Sequence, residues 1–156
     1  MINMFNNLNV VVGIAGGIAA YKSCGIVSFL KSQGANVDVI MTKNACEFIT
    51  PLTLETLSGN KVIVDMFDRP DHMDVKHISL AKKADLFLVV PATANIIGKV
   101  ANGIADDMLS TTIMATKAPV VFAPAMNNGM YENPIVQNNL KKLKSYGYEI
   151  IEPAVG

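Results

Sequence analysis

Asn9-Val10-Val11-Val12-Gly13-Ile14-Ala15-Gly16-Gly17-Ile18-Ala19-Ala20 decides how the rest of the chain is read. Asn9 to Ile14 is a continuous β-branched run, the pattern of a strand buried on both faces. Gly16-Gly17 turns the chain into a helix expected from Ile18 to Gln33, and Gly34 stops it. The same order then repeats. Val37 to Met41 reads as the second strand. Asn44 to Ile49 reads as a short helix, and Pro51 opens another that ends at Ser58-Gly59. Lys61 to Phe67 is expected to be a third, more polar strand, followed by a polar loop from Asp68 to Asp74. A helix over His77 to Ala84 leads into the strand Asp85 to Val90. Asn95 to Ala101 and Asp107 to Thr116 read as helices before the strand Pro119 to Phe122. Pro134 to Tyr146 is an amphipathic helix with Lys141, Lys142 and Lys144 near its C-terminus, where cations favour the dipole. Tyr148 to Ile151 is the last strand. This alternation predicts a single α/β domain: a Rossmann-like (flavodoxin-like), doubly wound parallel sheet in three α/β/α layers.

Composition narrows the function. The 156 residues are 51% hydrophobic and only 17% charged, and mean hydropathy is +0.34. No apolar run reaches the ~18 residues of a membrane span, so no membrane partner is expected. The excess apolar surface must sit in a doubly covered sheet, in a subunit interface, or in both. A formal charge of +0 argues against a nucleic-acid surface. Cys24 and Cys46 show no metal-ligand spacing, so no metal site is expected and a reduced, cytoplasmic protein fits best.

Ligands of open α/β sheets bind at the carboxyl ends of the strands, and four segments here suit that place. Gly13-Ile14-Ala15-Gly16-Gly17-Ile18-Ala19 is close to a dinucleotide fingerprint but has Ala15 where glycine is needed. The end of the second strand carries Thr42-Lys43 rather than the usual acidic residue, a hydroxyl and a cation that suit a phosphate. A mononucleotide such as FMN therefore fits better than NAD. Pro91-Ala92-Thr93-Ala94-Asn95 follows a fully apolar strand, and Lys99 lies one helical turn beyond Asn95. Thr93 as a simple helix cap is the competing reading. Ala123-Pro124-Ala125-Met126-Asn127-Asn128-Gly129-Met130-Tyr131-Glu132-Asn133-Pro134 is a rigid, amide-bearing stretch, or else a helix start capped by Asn127 or Asn133. His77, at a loop-to-helix junction, has a side chain suited to proton transfer near neutrality. His72 reads as a surface residue. Asp106 and Asp107 read as helix-start chemistry.

Together with Ala20-Tyr21-Lys22, Thr50-Pro51-Leu52-Thr53, Lys76-His77-Ile78 and Asn102-Gly103-Ile104-Ala105-Asp106-Asp107, these segments resemble the homo-oligomeric flavin-containing cysteine decarboxylases. The resemblance runs in order over nearly the whole chain. It is strongest to the phosphopantothenoylcysteine decarboxylase domain of bacterial coenzyme A biosynthesis. It implies non-covalent FMN at a subunit interface of a trimer, or of a dodecamer built from trimers. It implies that Gly16, Gly17, Ile18, Ala19 and Thr42 hold the phosphate end, and that Thr93, Ala94, Asn95 and Lys99, with Asp106 and Met126, line the flavin. His77 matches the active-site histidine. Asn127, with Met130 beside it, matches the substrate site, the asparagine taking the carboxylate.

The implied substrate is phosphopantothenoylcysteine and the product phosphopantetheine. The implied chemistry oxidises the cysteine side chain to a thioaldehyde, releases carbon dioxide to leave an enethiolate, and reduces it again. The resemblance places one flavoprotein domain over residues 1–156. It places a flap with a proton-donating cysteine, and in many bacteria a ligase domain, beyond Gly156, so the reductive step is expected to lack its cysteine in this stretch. Three other readings stay open at this point: a peptidyl-cysteine decarboxylase of the lantibiotic type, a flavin-binding relative without turnover, and an NADP module with Lys43 on the 2′-phosphate.

Overall fold

The computed structural model describes residues 3–67 and 76–153. Five strands form one parallel sheet: β1 (Asn9–Ile14), β2 (Asn36–Met41), β3 (Leu86–Ala92), β4 (Val120–Pro124) and β5 (Glu149–Ile150). Their order is β2-β1-β3-β4-β5, the flavodoxin-like order of doubly wound folds. Val10 to Gly13 of β1 pair with Leu86 to Val89 of β3 on one side, and Asn9 to Ile14 pair with all of β2 on the other.

Alternation along β1 sends neighbours to opposite layers, because successive strand side chains point to opposite faces. Val10, Val12 and Ile14 pack with Val27 and Leu30 of α1 (Ser23–Ser32) and Leu54 of α2 (Pro51–Ser58). Val11 packs on the other face in a cluster with Phe87 and Phe122. That cluster is covered by α3 (Lys76–Lys83), α4 (Ala94–Ala101), α5 (Met108–Ala115) and α7 (Pro134–Ser145). The single turn α6 (Asn128–Glu132) lies between β4 and α7. The sheet is therefore covered on both sides, which accounts for part of the apolar excess. The turns fall where the punctuation predicts. Gly34 follows the first helix at φ +88° and Gly59 closes α2 at φ +77°, both left-handed.

Four expectations need correction. Lys61 to Phe67 is not a strand. Only Ile63 pairs, bridging Ile40, and the Asp65 carboxylate then accepts the Phe67 N–H at 2.8 Å and turns the chain. The helix expected from Ile18 begins instead as a 3-10 turn over Ile18–Lys22 before α1. At that junction the buried Ser23 hydroxyl donates to the Val90 carbonyl at 2.8 Å, pinning the turn to β3. Asn44 to Ile49 is likewise reduced to a 3-10 turn, Ala45–Glu47. β3 runs two residues further than expected, to Ala92, with a register shift against β4 between Val89 and Ala92. The loop Asp68 to Asp74, His72 and residues 154–156 lie outside the described residues.

α5 starts with a reciprocal cap. The Asp107 carboxylate accepts the Ser110 N–H at 2.8 Å, and the Ser110 hydroxyl accepts the Asp107 N–H at 3.1 Å. Burial opposes the Asp107 charge, but the Ser110 hydroxyl and N–H, and the Lys99 ammonium 3.3 Å away, hold its carboxyl below the usual range. A lowered folded pKa means stability that is present above the unfolded value and lost as pH falls through the folded one. Asp107→Ala is expected to cost about 1 kcal/mol near neutrality, as cap removal typically does. In urea melts across pH, its deficit relative to the natural chain should shrink below about pH 4, where the unfolded carboxylate protonates.

Candidate functional site

The carboxyl ends of β1, β2, β3 and β4 open into one cavity of about 1240 Å³. Pockets for a single small ligand usually span about 300–1000 Å³, so this one has room for a cofactor and a substrate together. It lies at the β1/β3 switch point, where the connections leave the sheet in opposite directions.

Gly16 determines one end. An added Cβ there would collide with the Cβ of Asn44 and approach its carbonyl carbon to 2.7 Å and the Ala45 nitrogen to 2.9 Å. Only glycine lets the turn after β1 press against the turn after β2. The result is a continuous rim in which the N–H groups of Gly16, Gly17, Ile18 and Ala19 have no acceptor among the described residues. Gly17 is extended, at φ −160°, and caps the 3-10 turn without a side chain. Unpaired N–H groups at a glycine turn suit an anion. Lys22 and Lys43 line the same end.

The candidate side chains are oriented by the turns they cap. Thr42 Oγ1 accepts the Ala45 N–H at 3.0 Å. Thr93 Oγ1 accepts the Ile96 N–H at 3.3 Å at the start of α4. Asn127 Oδ1 accepts the Met130 N–H at 2.9 Å at the start of α6, and Asn133 caps α7 in the same way. Thr93 and Asn127 therefore cap their helices and also line the cavity. Capping consumes an acceptor and leaves the donors free: two hydroxyl hydrogens and the Asn127 amide N–H₂, which has no acceptor among the described residues.

Ala94, Asn95, Lys99, Asp106, Met126 and Met130 line the same cavity. Lys99 is largely buried and bridges two acids, 2.8 Å from Asp106 and 3.3 Å from Asp107. Burial disfavours its charge, yet the hydrogen bonds and charges of the two carboxylates outweigh this and hold the ammonium above its ordinary range. It is a fixed cation within a locally acidic cluster.

His77 is the exception. It sits half-buried in the first turn of α3 and does not line the cavity. Cys24 and Cys46 do not line it either, and burial pushes both thiols up. Sequence reasoning missed the wall made by Val64 to Phe67 and the edge at Pro153. Phe67 is 87% exposed and Ile18 81%, so the rim is apolar and uncovered within one chain.

Gly16→Ala should open the contact between the two turns. The expected outcome is a loss of about 1–3 kcal/mol in unfolding free energy, the usual cost of overpacking, with loss of anion binding at the rim. Unchanged stability and unchanged binding, measured by denaturation and calorimetry, would show that the turn does not need glycine.

The Flavoprotein family model matches residues 3–155. The coenzyme A biosynthesis bifunctional protein CoaBC of Borreliella burgdorferi is 58% identical over 153 residues, 98% of this chain and 39% of that protein. A probable phosphopantothenoylcysteine decarboxylase of Streptococcus mutans is 44% identical over 146 residues, 92% of this chain and 82% of that one. The crystal structure of the FMN-dependent cysteine decarboxylase SpaF superposes with a TM-score of 0.92 at 32% identity, over 97% of this chain and 87% of that one. The chain thus spans about two fifths of its bifunctional relative and most of the single-function one. With the family model matched over residues 3–155 and the fold shared with SpaF, this chain belongs to the Flavoprotein family.

Proposed function

We propose that the chain binds FMN and decarboxylates phosphopantothenoylcysteine to phosphopantetheine. The observation that carries this reading is the cavity itself: unpaired N–H groups at one end, a fixed cation in the middle and the free Asn127 amide at the other end. Identities of 58% and 44% to relatives named for coenzyme A biosynthesis and for this decarboxylation select the substrate. The residues fit a flavin mononucleotide. Gly16 to Ala19 and Thr42 would hold its phosphate, while Thr93, Ala94, Asn95, Lys99, Asp106 and Met126 would line its ring.

When bound, FMN would supply the two-electron oxidant for the cysteine CH₂–SH carbon and the matching reductant for the product. The Asn127 N–H₂ orients the substrate carboxylate, beside Met130, without the ion pair that would oppose its departure. His77 takes the thiol proton. No thiol among the described residues reaches the cavity to return a proton to the product carbon.

His77 lies off the cavity of its own chain, and Ile18 and Phe67 leave the rim apolar. Both features support a site completed by a neighbouring copy in a trimer, whether free or within a dodecamer. A second reading keeps the cysteine carboxylate but puts it at the end of a peptide; overlap with SpaF at a TM-score of 0.92 is compatible with either carrier. A soluble, cytoplasmic enzyme follows from the proposed role.

The purified protein should be yellow, release FMN on denaturation and evolve carbon dioxide from phosphopantothenoylcysteine in preference to a cysteine-terminated peptide. A protein that takes up no FMN would defeat the reading. His77→Asn should keep flavin and lose turnover. Asn127→Asp should lose substrate affinity through like-charge repulsion. Co-expressing these two variants as mixed subunits, assayed at a substrate level where neither turns over alone, should restore about a quarter of natural activity if each site draws on two copies across a head-to-tail interface. If both residues act from one chain, the mixture stays inactive.

A further inference from the structure

Glu152 holds an arrangement that the fold does not require. Its two carboxylate oxygens have separate donors: the Tyr131 hydroxyl gives to Oε2 at 2.7 Å, and the Lys144 ammonium to Oε1 at 3.0 Å. The residues on either side are committed. The Ile151 N–H donates to the Phe122 carbonyl at 2.8 Å, tying the segment to the middle of β4. Pro153, on the other side, lines the cavity together with Asn127 and Met130.

Tyr131 leads back to the same wall. Its N–H donates to the Asn127 carbonyl at 3.0 Å, and its own carbonyl accepts from Gln137 Nε2 at 2.6 Å. The turn it belongs to is the one that Asn127 caps. A single helical turn therefore joins the Glu152 carboxylate to the amide at the substrate end. The groups also shift one another. The hydrogen bond to Glu152 pushes the Tyr131 hydroxyl up, and Tyr131 followed by Lys144 holds Glu152 below the usual carboxylate range. Lys144 and Glu152 are more than half exposed, so a bare ion pair between them would contribute little. The phenol adds direction, because a charge-assisted O–H···O⁻ bond is short and oriented.

We propose that Tyr131 and Lys144 are positioning residues that clamp Glu152, so that Pro153 and the Asn127 turn form one fixed wall on the substrate side of the cavity. This rests on the decarboxylase reading for its substrate but not for its geometry. The clamp acts on substrate binding and leaves the flavin end, at Gly16 and Thr42, untouched.

Tyr131→Phe keeps the ring, which packs against the core, and removes only the hydroxyl. In the FMN-loaded protein it should raise KM for phosphopantothenoylcysteine roughly fivefold, the scale of one net hydrogen bond. Turnover number, FMN affinity and melting temperature should stay unchanged. Glu152→Gln should do the same, and the double variant should be no worse than the worse single one, because the two residues act as a unit. Hydrogen exchange at the Met130 and Ile151 amides should quicken in both variants. An unchanged KM, or FMN affinity and melting temperature falling in step with it, overturns the clamp. So does unaltered exchange. Quickened exchange in a protein that never evolves carbon dioxide would keep the clamp and reject the decarboxylase reading.

Discussion

The site depends on the closeness of two turns. Where β1 and β2 end, the chain backbones approach until nothing larger than a hydrogen fits at Gly16. That contact orders the rim, exposes a run of N–H groups with no acceptor among the described residues and brings Thr42 into the same cavity as Thr93. The parallel sheet supplies the context, because every strand delivers its following turn to the same edge. The switch between β1 and β3 leaves space there that helices would otherwise fill.

Capping is the second organising feature. Thr42, Thr93 and Asn127 each follow a strand, and each spends an acceptor on the main chain of the next turn. The bond fixes the side-chain orientation and leaves donors facing the cavity. Cap and ligand readings of these residues could not be separated from the sequence, because the residues that cap the turns are the same ones that line the cavity. A site built in this way draws its rigidity from secondary structure that the fold needs in any case.

The legible parts were those with strong local signals. The β-branched run before Gly16, the proline and glycine punctuation and the apolar strand before Pro91 each carry their own signature, and the sheet follows from them. Lys99 was placed by helical spacing alone. The less legible parts depend on distant contacts. Lys61 to Phe67 carries a β-branched run, Val62-Ile63-Val64, yet only Ile63 finds a partner before Asp65 turns the chain away to become a cavity wall. Ile18 to Lys22 has helix-compatible residues, but the Ser23 bond to Val90 accompanies a tighter 3-10 turn. Pro153 reaches the cavity through a clamp whose members, Tyr131, Lys144 and Glu152, have no sequence pattern in common. His77 carries a suggestive side chain, and no local signal says that it lies off the cavity of its own chain.

We propose that the Gly16 turn is a phosphate cradle. Titrating flavin-free protein with FMN and with riboflavin, which lacks the phosphate, tests it most directly by fluorescence quenching. Several charge-assisted hydrogen bonds to one phosphate should favour FMN by at least about 100-fold. Equal affinities for the two flavins would contradict the account.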